Sequence, residues 1–302
     1  MKKILAIGLV LFMSLTLFGC GEAADKNPSV DPATCEHEWI DATCDKPDVC
    51  KKCKTESGKA KGHEYYNGVC LGCGADIPEN ETCDLGNVMI MGDSITTFEG
   101  YSYELKQHWY FQGGREDNMT DVTDVSETYW DILMSNCEGR LVRNQSCSGS
   151  TFVEAKYHGG DFEKAYNSFW DRLNRYLLQE NFFEGKKIDT FIFFGGTNDN
   201  NSCAMGEIKY ENWTDEDLKY FAPAYAHYIY QVQKTCPDAK LFSIVDTTLA
   251  QVADTMKEIN EHYGVYTVEI NGFDEIPPHP TVKGMKEIER VLRAKLCEVL
   301  GQ

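Results

Sequence analysis

The sequence predicts an α/β protein with a parallel sheet, preceded by a small module rich in cysteine and histidine. Three observations carry that reading. From Leu85 onward, short apolar runs alternate with amphipathic stretches of helical spacing, the pattern of a parallel sheet with helices on both faces. The first run, Val88-Met89-Ile90-Met91, ends abruptly in Gly92-Asp93-Ser94, as a buried parallel strand ends at a turn. Between Cys35 and Cys73, aliphatic residues become scarce while cysteines and histidines recur.

The chain opens with Met1-Lys2-Lys3, runs apolar from Ile4 to Phe18, and reaches Gly19-Cys20. A basic start, an apolar core and a small residue at the cleavage point form a secretory signal over residues 1–19. The Cys directly after Gly19 resembles the lipobox of bacterial lipoproteins, which implies that Cys20 is the lipidated first residue of the mature protein. A plain secretion signal is the alternative. No later run is long and apolar enough to span a bilayer, so the expected place is the extracellular face of the cell membrane, lipid-anchored, or else secreted. Residues 20–34 are polar, with Pro28 and Pro32, and read as a tether. The formal net charge is −19, which argues against a nucleic-acid partner. The composition changes near Cys83 and divides the rest into a module, 35–83, and a larger domain, 84–302.

The module holds Cys35, His37, Cys44, Cys50, Cys53, His63, Cys70 and Cys73. So short a segment cannot build an adequate apolar core and needs metal or cross-links. It repeats internally: the spacing from His37 to Cys44 matches that from His63 to Cys70, and each half carries a Cys-x-x-Cys pair, Cys50/Cys53 and Cys70/Cys73. Such pairs form knuckles that aim two thiolates at one ion. The set would supply two structural zinc sites of three sulfurs and one nitrogen. The favoured grouping is His37 with Cys50 and Cys53, and His63 with Cys70 and Cys73, with Cys35 and Cys44 completing the shells. The segment resembles the His-x-Trp and Cys-x-x-Cys ribbon repeats of secreted and surface proteins of Gram-positive bacteria. Disulfides are the alternative in a secreted chain.

In the larger domain, strands are expected near Asn87–Met91, Leu141–Asn144, Thr190–Phe194, Lys240–Val245 and Val265–Ile270. Helices are expected near Val125–Ser135, Phe162–Leu178, Asp215–Thr235, Leu249–Tyr263 and Thr281–Leu300. Thr214-x-x-Asp217 is similar to a capping box at the third long helix. In open α/β sheets the working groups lie beyond the strand C-termini. Ser94 stands there, and so do the segments around Gly149, Asn198 and His279. Acyl transfer needs a nucleophile, a base and donors aimed at an oxyanion, and these segments contain a hydroxyl, an imidazole, a glycine backbone amide and a carboxamide. Cys137 with Cys147, and Cys203 with Cys236, are disulfide pairings open to the sequence.

Four blocks occur in order: Gly92-Asp93-Ser94, the glycine block at Gly149, Gly196-x-Asn198-Asp199, and His279-Pro280. In this the chain resembles the SGNH, or GDSL-type, hydrolase superfamily from Leu85 to about Leu300. The resemblance implies a three-layer α/β/α sandwich with a flavodoxin-like sheet, Ser94 as nucleophile and His279 as base. It also implies an oxyanion hole from the Ser94 and Gly149 amides and the Asn198 side chain, with no cofactor for catalysis. The superfamily places an Asp three residues before the histidine, and here that position is Ile276. Asp274 is the expected orienter of His279, with Glu275 or a backbone carbonyl as alternatives. The insertion from Phe98 to about Thr123 carries Tyr101, Tyr103, Trp109, Tyr110 and Phe111. Long loops beside an active edge shape the substrate site, although such rings also cover cores. The expected function is a surface-anchored serine esterase acting through an acyl-enzyme. Its expected partner is an ester substrate, with acetylated carbohydrate of cell-wall or of dietary or plant origin as the favoured class. A lipase or lysophospholipase, or a catalytically silent surface-binding protein, are the alternatives.

Overall fold

The computed structural model describes residues 31–301 except 62–64, 67–68, 71, 76–80, 103–106, 154, 159–160, 165–166, 178–182, 184 and 201. The readings placed on residues 1–30, on His63 and on Tyr103 therefore lie outside the described residues. The compact units divide after Gly62, within the segment 35–83.

The larger unit is built on five parallel strands: β1 (Asp84–Gly92), β2 (Glu138–Asn144), β3 (Thr190–Phe194), β4 (Lys240–Asp246) and β5 (Tyr266–Ile270). Their order is β5-β4-β3-β1-β2, the doubly wound order in which the chain reverses direction between β1 and β3. Crossovers to opposite sides of that point leave a crevice at the C-terminal ends of β1 and β3.

Alternation along each strand divides the core in two. Met89, Met91, Phe191, Phe193 and Val245 join Phe169, Tyr225, Tyr228 and Met256 on one face. There lie α2 (Phe169–Arg172), α3 (Phe221–Thr235) and α4 (Ala253–Tyr263). Val88, Ile90, Ile192, Phe194 and Ile244 join Trp130, Leu133, Ile288 and Leu292 on the other, against α1 (Tyr129–Asn136) and α5 (Val282–Leu300). Successive strand residues point to opposite faces, and both faces are covered, so the strands read as continuous apolar runs. The expected three-layer sandwich is the observed one.

The differences are local. The stretch read as one helix from Phe162 is split. Ala155–His158 and Asp161–Lys164 pair as an antiparallel hairpin, and the helix starts only at Phe169, running on as a π-helical turn over Leu173–Leu177. Asn167, at φ +61°, breaks any helix before it, and Ser168 caps the new one through its Oγ, which accepts from Asp171 N at 3.0 Å. The Thr214–Asp217 box forms, with Thr214 N donating to Asp217 Oδ2 at 2.6 Å and Asp217 N to Thr214 Oγ1 at 3.4 Å. It opens a single 3₁₀ turn, Asp217–Lys219, ahead of α3. Neither disulfide pairing left open by the sequence forms: among the described residues, a disulfide runs from Cys83, just before β1, to Cys297 in α5. Cys137, Cys147, Cys203 and Cys236 are not disulfide-bonded. Cys147 Sγ instead donates to Gln107 Oε1 and Cys203 Sγ to Asp199 Oδ1.

The smaller unit carries a three-stranded antiparallel sheet of Trp39–Ile40, Asp48–Cys50 and Glu56–Ser57. Among the described residues, no helix is long and apolar enough to cross a membrane.

Candidate active site

β1 and β3 run in register, Gly92 beside Phe194, and Asp93 N donates to Phe194 O at 3.1 Å. Beyond that bond the chain turns into one 3₁₀ turn, Ser94–Thr96, whose second N–H, that of Ile95, is capped by Asp93 Oδ1 at 3.1 Å. Ser94 is the first residue of that turn, so its own N–H has no acceptor within it. Gly92 permits the turn: a Cβ there would stand 2.2 Å from Thr96 Oγ1.

His279 comes to this point from 185 residues away, and its Nε2 lies 2.8 Å from Ser94 Oγ. It sits in the second strand of a short hairpin, Glu275–Ile276 with His279–Pro280, directly before α5. Ser94 and His279 are each only 6% exposed. Burial first, and then the positive charge of Arg115, hold the imidazole down at about 4, so at neutral pH it is uncharged and able to take a proton.

The expected orienting carboxylate is not there. Asp274 turns outward: its carboxylate accepts from Thr281 Oγ1 and pairs with Lys283 Nζ at 3.4 Å. Its side chain serves the start of α5 and not the imidazole. Glu275 is exposed on the hairpin. Among the described residues, His279 Nδ1 has no hydrogen-bond partner. The neighbour of the imidazole is Trp109, stacked at 3.6 Å between centroids with 10° between planes, and Tyr110 meets its edge at 6.3 Å and 85°. Arg115 lies over the Trp109 ring, 4.2 Å from its centroid. Of the loop aromatics, for which the sequence left both substrate-facing and core-covering roles open, Tyr110 is fully buried and Trp109 half-buried. Tyr101 remains exposed, at 48%.

The loop after β2 reaches the same edge by continuing the ladder, with Gln145 N donating to Ile90 O at 2.8 Å and Cys147 N to Gly92 O at 3.1 Å. Gly149 follows at φ +77°, with open space where a Cβ would stand. Asn198, after β3, donates from Nδ2 to Ser150 O at 3.0 Å. That bond uses one of the two amide protons and fixes the plane of the other. Beneath it, Asp199 accepts from Phe152 N at 3.0 Å and Val153 N at 3.4 Å. Burial pushes its carboxyl up to about 7, opposed by those amide bonds. Arg172 of α2 is fully buried; its Nη1 donates to Gln145 O, and its Nη2 to Ser150 Oγ at 3.0 Å. The structure thus gathers Ser94, His279, Gly149 and Asn198 on elements of one sheet edge. Sequence reasoning missed Arg172, which no short motif marks, and the contact of Trp109 with His279.

In the smaller unit, the ligand atoms of Cys35, His37, Cys50 and Cys53 all lie within 4.8 Å of one another. Cys35 Sγ is 3.8 Å from Cys50 Sγ, and Cys53 Sγ is 3.3 Å from His37 Nδ1. A tetrahedral zinc ion with its usual bond lengths sets sulfurs about 3.8 Å apart and a sulfur–nitrogen pair about 3.6 Å apart. The donor set and its spacing fit that ion; His37, Cys50 and Cys53 were grouped from the sequence, which left open whether Cys35 or Cys44 completes the shell. In the larger unit, Cys70 lies in a short hairpin, Tyr65–Tyr66 with Val69–Cys70, followed by Cys73; its expected partner His63 is outside the described residues.

A doubly wound sheet with a serine hydroxyl against a buried, uncharged imidazole at its C-terminal edge defines a hydrolase of the α/β class. The GDSL-like Lipase/Acylhydrolase profile matches residues 86–296. A GDSL-like lipase from Bacteroides uniformis is similar in structure at a TM-score of 0.60 and 31% identity, covering 72% of this chain and 95% of that one. One from Bacteroides ovatus is similar at 0.60 and 29% identity, covering 71% and 99%. None of the curated proteins matches significantly. The chain belongs to the GDSL-like lipase/acylhydrolase family, within the SGNH superfamily, and ester hydrolysis is the chemistry of that family.

Proposed function

We propose that this protein is a serine esterase, held at the outer face of the membrane through Cys20, that hydrolyses carboxylic esters by way of an acyl-enzyme. The observation that carries the reading is the 2.8 Å contact between Ser94 Oγ and His279 Nε2. Ser94 Oγ attacks the acyl carbon as His279 Nε2 takes its proton. The tetrahedral oxyanion is met by the Ser94 and Gly149 amides and the Asn198 carboxamide. The imidazolium returns its proton to the leaving alcohol, the ester C–O bond breaks, and an acyl-serine remains. Water then attacks that acyl group, losing a proton to the same nitrogen, and the carboxylic acid leaves as Ser94 regains its hydrogen. Among the described residues no carboxylate meets His279 Nδ1, so the catalytic set proposed is a Ser–His dyad.

The substrate class proposed is an acetylated carbohydrate. The exposed ring of Tyr101, on the loop following the nucleophile, offers a flat face of the kind on which sugars pack. A structural zinc ion is proposed for Cys35, His37, Cys50 and Cys53, where it would replace the apolar core that the unit lacks. A second is proposed around His63, Cys70 and Cys73. The test is a panel of acetylated oligosaccharides, short-chain esters and phospholipids given to the mature protein and to Ser94→Ala. Acetate release from the sugars that is abolished in Ser94→Ala is the expected result. Turnover confined to phospholipids would make the protein a lipase, and no turnover at all would contradict the esterase reading.

A further inference from the structure

We propose that Trp109 is a positioning residue for hydrolysis: its indole, stacked on the His279 ring, holds the imidazole in line with Ser94 Oγ in place of a carboxylate at Nδ1. The inference rests on the reading of Ser94 and His279 as the reacting pair.

A general base works only when its ring is fixed in plane and direction. Ordinarily a hydrogen bond at the far nitrogen does this. Here Nδ1 is buried and has no partner among the described residues, while the ring is pressed against the indole at 3.6 Å, 10° from parallel. Tyr110 closes the edge, and its hydroxyl donates to Pro280 O, the residue after His279, at 3.3 Å. Apart from the Nε2 contact with Ser94, the imidazole is thus held by aromatic rings and not by a polar partner at Nδ1.

The indole is in turn tied to the nucleophile. Trp109 N donates to Thr97 Oγ1 at 2.8 Å, and Thr97 Oγ1 donates to Ser94 O at 2.8 Å. One threonine side chain therefore links the backbone of the stacking residue to that of the serine, and base and nucleophile share one frame. On the indole, Nε1 is buried without an acceptor among the described residues, so packing of the ring, and not its N–H, sets its place. Arg115 covers the ring at 4.2 Å, donates from Nη1 to Trp109 O at 3.4 Å, and pairs with Asp117 at 2.6 Å. Of the charged groups near His279, Arg115 from the loop acts on it, Asp121 accepts from Val282 N at 2.8 Å, and Glu275 of its own hairpin is exposed. Asp274 is engaged with Thr281 and Lys283.

The test compares Trp109→Ala with Trp109→Phe in the full-length protein, counting active sites with a serine-directed phosphonate. The Ala variant should lose about 100-fold in kcat per labelled Ser94, the scale of a base misplaced by about an ångström, with KM little changed. Its acid limb should also rise toward the value of a free histidine, about 6.5, because the imidazole is opened to water. Phe keeps a stacking face and gives up only an N–H that had no acceptor, so it should restore most of kcat and the low acid limb. Wild-type kcat in Trp109→Ala overturns the proposal, as does a Phe variant as slow as Ala. A slower Ala variant with an unmoved acid limb overturns it too, since a merely loosened fold gives that. Failure of the phosphonate to label Ser94 in the wild type would instead remove the reading on which the proposal stands.

Discussion

Replacing Arg115 with glutamine isolates the charge that acts on the base. Burial is the larger reason that His279 is held at about 4, and Arg115 is the second. The guanidinium and the imidazole stand so close to the indole, 4.2 and 3.6 Å from its centroid, that they must occupy opposite faces. The charge then lies roughly 8 Å from the imidazole, where an effective dielectric near 20 gives about 2 kcal/mol of repulsion. Asp117, paired with Arg115 at 2.6 Å, cancels much of this, leaving about 1 kcal/mol, or somewhat under one pH unit. The base must be uncharged, so activity is lost as pH falls through its pKa. The wild type should therefore hold kcat/KM down to a midpoint of about 4. Arg115→Gln should lose activity at a pH higher by about half a unit to one unit, still well below an exposed histidine because the burial remains. The assay is kcat/KM for a neutral acetyl ester across the acid range. A wild-type limb already near the free-histidine value, or a limb that moves down in Arg115→Gln, would refute the reasoning.

Asn198→Ala should lower kcat by about 10²- to 10³-fold with little change in KM, the loss expected of one oxyanion donor, and steady-state kinetics checks it. The Asp199 carboxyl is raised in the fold to about 7 from an ordinary value near 3.9. The folded state thus keeps a proton that the unfolded chain releases. That contribution to stability is full below the unfolded value and is lost as pH rises through the folded one. Asp199→Asn keeps an acceptor for the Phe152 and Val153 amides but cannot ionise, so its melting temperature should fall less over that interval than the wild type's, as calorimetry would show. The mature protein should carry about two zinc ions per chain, and Cys50→Ser about one fewer, by elemental mass spectrometry, with esterase activity unchanged on chelation.

The large domain was legible where physics is local. Both faces of the sheet are covered, so β1, β3 and β4 announce themselves as unbroken apolar runs, and the turn chemistry at Gly92-Asp93-Ser94 marks the edge where the site lies. Phe162–Leu178 misled because an apolar period there is shared by a strand of a hairpin and a helix. The break was nevertheless written in Ser168-x-x-Asp171, a cap signal passed over. The order of the blocks pointed to Ser94 and His279, and the fold sets His279 Nε2 2.8 Å from Ser94 Oγ. The partner of His279 was not legible, because it depends on which way a two-stranded hairpin turns its carboxylates, and Thr281 and Lys283 at the start of α5 claim Asp274. Trp109 could be seen as an aromatic beside the nucleophile, but whether such a ring faces substrate or a neighbouring imidazole is decided only by the packed loop. The disulfide was missed for the same reason: Cys83 and Cys297 are 214 residues apart, and nothing in their spacing connects them.

In the proposed mechanism Ser94 carries the acyl group. A serine-directed phosphonate should inactivate the wild-type protein with one equivalent bound, and peptide mass spectrometry should place the adduct on Ser94. Ser94→Ala, folded to the same melting temperature, should take up none and hydrolyse nothing. An adduct on another residue, or a Ser94→Ala variant that keeps its turnover, would contradict the account.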